Sequence, residues 1–366
     1  MAEQPADGGY SREGWMRRTP YGKWVYQQGI PVMEGWGVAN PSQQKFSHWD
    51  KIGADAFIML MEGMEGITGQ YFVKLPAGGQ TKRERHLYEK LIYVISGRGT
   101  AVIEDGNSKE HTFEWQESSF FAIPLNAPHQ LYALGEPVFY TAFTTAPMVF
   151  DLFYREDFIY NTPFTFNDRF NGQSDFFSKE VREGRSWVTN FIPDVRKARI
   201  DPSASRGPGT LLSAFEIADN SLIGHLAHWP PGRYMLSHYH GGGAILLIIQ
   251  GKGFSLMWSN AYGEQPFANG HGDKVIRIDW EPGSAFSPPT DWYHQHFNTG
   301  DGWALQLALR NGSSRHPLGI RASHGTAFTS TVTLDREDPA IREMYLEALR
   351  KNGVNADMPI VVGAAD

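Results

Sequence analysis

The stretch GRYMLSHYHGGGAILLIIQG, Gly232–Gly251, sets two histidines one residue apart, follows them with three glycines, and continues into an apolar run bounded by glycine. In an extended strand side chains alternate between faces, so His238 and His240 project to one side and can reach one ion together. A third ligand has to come from elsewhere, and PPTDWYHQHFN, residues 288–298, offers His294 after a turn. The glycines at 241–243 read as a segment that turns close to this site without a side chain blocking access. AILLII, Ala244–Ile249, reads as buried strand.

Working outward, this stretch belongs to a series of short β-rich runs separated by turn signals, from about residue 206 to 315: SLIGHLAHWPPGR, AILLIIQGKG, GFSLMWSN, KVIRIDWEPGS and WALQLALRNGS among them. A second such series runs from about 56 to 147, with GQYFVKLPAGG, LIYVISGRG, GTAVIEDGNS, SFFAIPLNAPH and VFYTAFTTAP. That rhythm predicts all-β sandwiches or barrels. Residues 76–99 overlay 230–253 without gaps at an offset of 154, Pro76 on Pro230, His86 on His240, Gly97 on Gly251 and Gly99 on Gly253. Farther on, Pro124 meets Pro289 and His129 meets His294 at an offset of 165. The chain thus carries an internal repeat.

Outside the repeats, residues 1–55 are rich in Gly, Pro and aromatics without a sustained helical period, and read as an arm packed over a domain. Residues 148–205 read as a connection, and 316–366 as a C-terminal segment with one helix at 339–352. Asp338 stands at its N-cap, Pro339 in its first turn and Gly353 just past its end, with Ile341, Met344, Tyr345, Ala348 and Leu349 on one face.

Composition narrows the function classes. The 366 residues carry 33 Lys+Arg against 40 Asp+Glu, a formal net charge of −7, which gives no electrostatic reason to expect a nucleic-acid partner. The absence of cysteine excludes disulfides, thiolate ligands and a cysteine nucleophile, so a metal has to be held by His, carboxylate, amide or water. The N-terminus has no apolar signal-like run and AILLII is far too short to cross a bilayer, so the expectation is a soluble, cytoplasmic protein with no membrane partner.

On these residues the chain resembles a two-domain cupin. The first cupin motif, G-x5-H-x-H-x3-E-x6-G, is met by Gly232, His238, His240 and Gly251, with Ala244 where the family's glutamate ligand stands. The second, G-x5-P-x-G-x2-H-x3-N, is met by Gly283, Pro289, His294 and Asn298, with Asp291 replacing the internal glycine. The resemblance implies two jelly-roll barrels, a degenerate one at 56–147 and a metal-bearing one at 206–315, with His238, His240 and His294 as metal ligands. Three neutral histidines without the glutamate are the arrangement that several iron dioxygenases of this family use, including gentisate-type enzymes. The implied cofactor is Fe(II), with Mn, Ni, Zn and Cu as alternatives. The implied partners are a small oxygenated substrate, aromatic or enolisable, and dioxygen, in a chain that forms a homo-oligomer.

Gentisate-type enzymes carry their working triad in the first repeat, and this chain departs from that pattern. Its first repeat reads Glu84, His86, Lys90 and His129 at the motif positions. Glu84, His86 and His129 would suit a two-histidine, one-carboxylate site for Fe(II), but Lys90 puts a positive charge where a ligand normally sits and can pair with Glu84 instead. A metal-free first site is the expectation. Glu89, next to Lys90, is expected to point out of the barrel to the surface.

Strand parity places the remaining candidates. His296 and Asn298 share a face with His294; His296 is a candidate acid/base, a fourth ligand or a satisfied core histidine. On WALQLALR the face of Ala304, Gln306, Ala308 and Arg310 is small and polar, so Gln306 and Arg310 are candidates to meet a substrate carboxylate or carbonyl. Trp258, Trp292 and Tyr293 are candidates for an aromatic wall, and of His225 and His228 a regular strand turns only one inward. Three functions compete: an Fe(II) dioxygenase, a Lewis-acid isomerase, decarboxylase or hydrolase, and a non-catalytic small-molecule-binding cupin.

Overall fold

The computed structural model describes residues 15–64, 66–183, 186–203, 206–240, 244–312 and 331–359. The glycine segment 241–243 lies outside the described residues. Strands dominate, and they form two barrels of the same topology, each a large sheet facing a three-stranded one.

In the first barrel the large sheet is built in the order Ala54–Met61, Gly69–Leu75, Val138–Thr144, Lys90–Ser96, Phe120–Ile123, and the facing sheet in the order His129–Ala133, Gly99–Glu104, Glu110–Trp115. The second barrel repeats it: Leu211–Ile217, Leu222–Trp229, Ala304–Asn311, Ile245–Gln250, Ala285–Phe286, against Trp292–Asn298, Gly253–Ser259, Ile276–Trp280. The overlay found in the sequence is therefore a repeat of strand order.

The repeat also runs further back than the histidine motifs. The N-terminal strand Val32–Gly35 pairs in parallel with 54–61, and the next strand, Gly37–Val38, crosses to the second barrel and pairs with 285–286. Ser186–Thr189 pairs in parallel with 211–217, and Phe191–Ile192 crosses to the first barrel and pairs with 120–121. Each barrel thus has one edge closed by a strand from the other half, which leaves fewer unpaired edge groups. The N-terminal segment also holds helix Pro20–Gln27, which the sequence pattern did not announce; Thr19 caps it by accepting from Gly22 N, with proline in the first turn.

One continuous core fills the first barrel and extends across the seam to the outer face of the second barrel's large sheet, where Phe120 meets Phe215 at 5.5 Å. Central strands buried on both faces need apolar residues at every position, which is why LIYVIS and ILLIIQ do not alternate. A separate core of Ala227, Trp229, Met235, Leu246, Ile248, Met257, Phe286 and Ala308 fills the second barrel. Helix Pro339–Asn352 closes the outer face of the 292–298 sheet, burying Ile341, Tyr345 and Leu349 against Tyr234, Phe254 and Phe297. Asp338 accepts from Ala340 N and also from Phe267 N and Ala268 N, so one carboxylate caps the helix and ties it to a barrel loop. Among the described residues no helix is long and apolar enough to cross a membrane.

Glu89 corrects an expectation. It does point out of the first barrel, but the space there is the seam with the second: its carboxylate accepts from Ser221 N at 2.7 Å, Ser221 Oγ at 2.9 Å and Leu222 N at 2.9 Å. It is 7% exposed, a buried anion holding the start of a strand of the other barrel.

Candidate functional site

The loop before strand 245–250 and the strand 292–298 meet through a backbone bridge, His238 N to His294 O at 3.2 Å and His294 N to His238 O at 2.9 Å. That bridge sets the two imidazoles side by side, ring centroids 4.3 Å apart, and His240 joins them at 5.0 Å from His294. One nitrogen from each of the three rings falls within 4.8 Å of the other two, and all three residues are buried. His238 Nδ1 lies 2.8 Å from Leu236 O and His294 Nδ1 lies 3.0 Å from Trp292 O. Carbonyls accept, so Nδ1 carries the hydrogen in each ring and the Nε2 lone pair is left for a ligand. Burial pushes His294 down to about 4; burial, followed by the nearby Arg206, holds His238 well below the ordinary imidazole range. Both are neutral near pH 7, the form that binds metal. The donor set fits a divalent first-row cation.

The pocket around these rings is lined by Arg206, His225, His296, Gln306 and Arg310, with Leu212, Met235, Ala244, Leu246, Pro288 and Ala308 as its apolar wall. None of the described residues lining it is acidic. Arg206 is 8% exposed, and burial with the neighbouring Arg310 lowers it to about 10, so two guanidinium groups share one enclosed space. Gln306 Oε1 is buried without a hydrogen-bond partner. His296 is not part of the converging donor set; its ring centroid is 5.6 Å from that of His294, and its Nδ1 lies 2.8 Å from Ser255 Oγ. Trp280 Nε1 donates to the same oxygen at 3.0 Å, so Ser255 anchors the His296 ring through Nδ1 and leaves Nε2 facing the pocket.

Other candidates fall elsewhere. Trp258 and Tyr293 pair across the facing sheet in register with each other, one position out of phase with His294, so they lie on its outer face. There they stack at 5.4 Å in the core under the C-terminal helix, and they form no wall of the pocket. Trp292 shares the inward parity, but its ring packs on Trp36 at 5.0 Å. Asn298 is a turn residue: its amide donates to Gly302 O at 2.8 Å and its carbonyl accepts from Gly300 N at 3.1 Å. Gln306 and Arg310 do reach the pocket.

The sequence reading missed Arg206, which lies outside both motifs. It left His225 open, and the sheet register decides the matter: His225 pairs with Ala308 on the polar face of strand 304–311, while His228 turns out to pack on Trp303 at 4.5 Å.

The first barrel builds the same bridge, Glu84 N to His129 O at 2.8 Å and the reverse at 2.9 Å, and its Glu84, His86 and His129 donor atoms also lie within 4.8 Å of one another. Here Lys90 fills the centre. Its Nζ is 2.9 Å from each Glu84 carboxylate oxygen and 3.3 Å from His129 Nε2, with no exposure to solvent.

No known family profile matches the chain, and no curated protein sequence matches it either. Solved structures do. A deletion variant of Bacillus subtilis oxalate decarboxylase superposes at TM-score 0.50 and 13% identity, over 76% of this chain and 77% of that one. A point variant of the same enzyme superposes at TM-score 0.50 and 13% identity, over 76% and 78%. At such identity the likeness is one of fold. With the strand order, the repeat and the two converging ligand clusters, it establishes that the chain has the bicupin fold, two jelly-roll barrels in succession closed by a C-terminal helix.

Proposed function

We propose that this bicupin is a metal-dependent enzyme whose second barrel binds one divalent cation through His238, His240 and His294 and acts on a small carboxylate- or enolate-bearing anion. The observation that carries this reading is the make-up of the pocket: three imidazoles with Arg206 and Arg310 beside them, and no acidic side chain among the described residues that line it. A metal held by neutral ligands keeps its full positive charge, and two guanidinium groups beside it add to the field, so the site favours an anionic substrate.

A bound cation would polarise a substrate oxygen as a Lewis acid. Arg206 and Arg310 orient and neutralise the substrate's carboxylate, with the fork geometry that suits two-point recognition. Gln306 offers its unpartnered Oε1 to a substrate hydroxyl or amide hydrogen. His296, steadied through Nδ1 by Ser255, presents Nε2 as the atom that gives or takes a proton. Leu212, Met235, Leu246 and Pro288 limit access of water.

Non-oxidative chemistry at a carboxylate, decarboxylation above all, is the reading we favour over oxygen insertion, because the pocket is organised around anion charge and lacks the aromatic wall expected of Trp258 and Tyr293. One observation favours dioxygenation as the second reading: Ala244 lines the pocket where a fourth ligand would stand, which leaves coordination space for two guests. Incubating metal-loaded protein with a panel of small mono- and dicarboxylates, following carbon dioxide release and oxygen uptake in parallel, separates them. Product without oxygen consumption supports the first reading, stoichiometric uptake supports the second, and no turnover or binding of any anion contradicts both.

A further inference from the structure

The two ligand clusters are superimposable in design and differ in what occupies them. Glu84 stands for His238, His86 for His240, His129 for His294, and Lys90 stands at the position of Ala244. In the first barrel, His86 Nδ1 lies 2.9 Å from Tyr88 O and His129 Nδ1 lies 3.0 Å from Ala127 O, so in both rings Nε2 is the nitrogen with the free lone pair, as in the second barrel. We propose that the Lys90 ammonium is the resident cation of the first barrel: it takes the place of a metal ion, keeps the Glu84–His86–His129 set metal-free in this chain, and leaves a latent metal site that opens when Lys90 is shortened.

Three features carry this. The ammonium has three hydrogens, and three acceptors surround it: the two oxygens of Glu84 at 2.9 Å each and His129 Nε2 at 3.3 Å. Its charge matches that of the one buried carboxylate of the cluster, which a metal would otherwise have to neutralise. The fourth acceptor, His86 Nε2, is buried and has no partner, as expected of a ligand set made for a centre with more bonds than an ammonium can form. A divalent cation cannot enter while Lys90 remains, because it would share the space with a fully buried positive charge. Lysine in the first barrel and alanine in the second thus decide which of two similar clusters is open.

The test uses Co(II) as the probe and metal content, absorption and melting temperature as readouts, none of which depends on turnover. In a chain whose second site is removed by His240→Ala and His294→Ala, the account expects no bound Co(II) with Lys90 present. It expects one equivalent per chain in Lys90→Ala, lost again on adding His129→Ala, and a melting temperature that Co(II) raises in Lys90→Ala but not in its parent. In the chain with both second-site histidines intact, Lys90→Ala should bind one equivalent more than wild type, a comparison that holds whether or not the second barrel proves to be a metal site. Lys90→Met, which keeps the packing volume, is the companion variant. An equivalent of Co(II) that is present with Lys90 and lost in His129→Ala would overturn the proposal. So would Lys90→Ala and Lys90→Met both failing to bind Co(II) at millimolar concentration, whether they are folded or unfolded.

Discussion

Replacing Glu89 by alanine tests the seam between the barrels. The carboxylate is 7% exposed and accepts from Ser221 N, Ser221 Oγ and Leu222 N at 2.7–2.9 Å, with Arg169 Nη1 3.7 Å away. The Ser221 hydroxyl can rotate to another acceptor, but the two backbone N–H groups cannot, and each buried donor left unmade costs about 1–3 kcal/mol. With the partly buried Arg169 guanidinium also losing its counter-charge, Glu89→Ala should destabilise the chain by about 3–5 kcal/mol. Glu89→Gln keeps one acceptor oxygen but turns an NH2 toward one of the two N–H groups, so it should cost about 1–3 kcal/mol. Equilibrium unfolding in urea, followed by tryptophan fluorescence and far-ultraviolet circular dichroism together, measures both. A Glu89→Ala variant within about 1 kcal/mol of wild type, or a glutamine variant worse than alanine, would refute the reasoning.

Other expectations follow from the same geometry. Arg310→Met should weaken binding of a small carboxylate to the metal-loaded protein by about 10- to 100-fold, as expected for losing a charged hydrogen bond in an enclosed site, and isothermal titration with the wild-type ligand measures it. In metal-free protein, burial lowers His86, His129, His225, His238, His294 and His296, so the unfolded chain binds more protons than the folded one below about pH 6.5. Stability should therefore fall as pH drops from about 6.5 toward 4, by up to about 1.4 kcal/mol per pH unit for each such histidine; unfolding midpoints at pH 7, 6 and 5 check this, and a flat profile contradicts it. Asp338→Ala removes three acceptor contacts at the helix cap and should cost about 2–3 kcal/mol, read by thermal melting.

The fold was legible because a repeat of motifs is a repeat of strands: the glycines and prolines that overlay at fixed offsets mark turns, and the runs between them were short and β-rich. The helix at 339–352 was legible from its caps. The crossing strands at 37–38 and 191–192 were not, since two-residue strands carry no period and their partners lie in the other half of the chain. At the site, spacing alone brought His238, His240 and His294 into view, and parity brought Gln306 and Arg310. What parity could not supply was register and environment. His225 enters the pocket because it pairs with Ala308, and Arg206 because the chain leads it there from outside any motif. Trp258 and Tyr293 looked like pocket aromatics only until a helix was found packed against their face. Glu89 looked like a surface residue because a single barrel has an outside, and here the outside is the other barrel.

The central claim is that one barrel holds a metal and the other holds a lysine in its stead. Metal content of the full chain purified without an affinity tag, compared among wild type, His240→Ala and His86→Ala, tests it most directly. The account predicts one equivalent of divalent metal in wild type, none in His240→Ala, and one in His86→Ala. Two equivalents in wild type, or undiminished metal in His240→Ala, would contradict it.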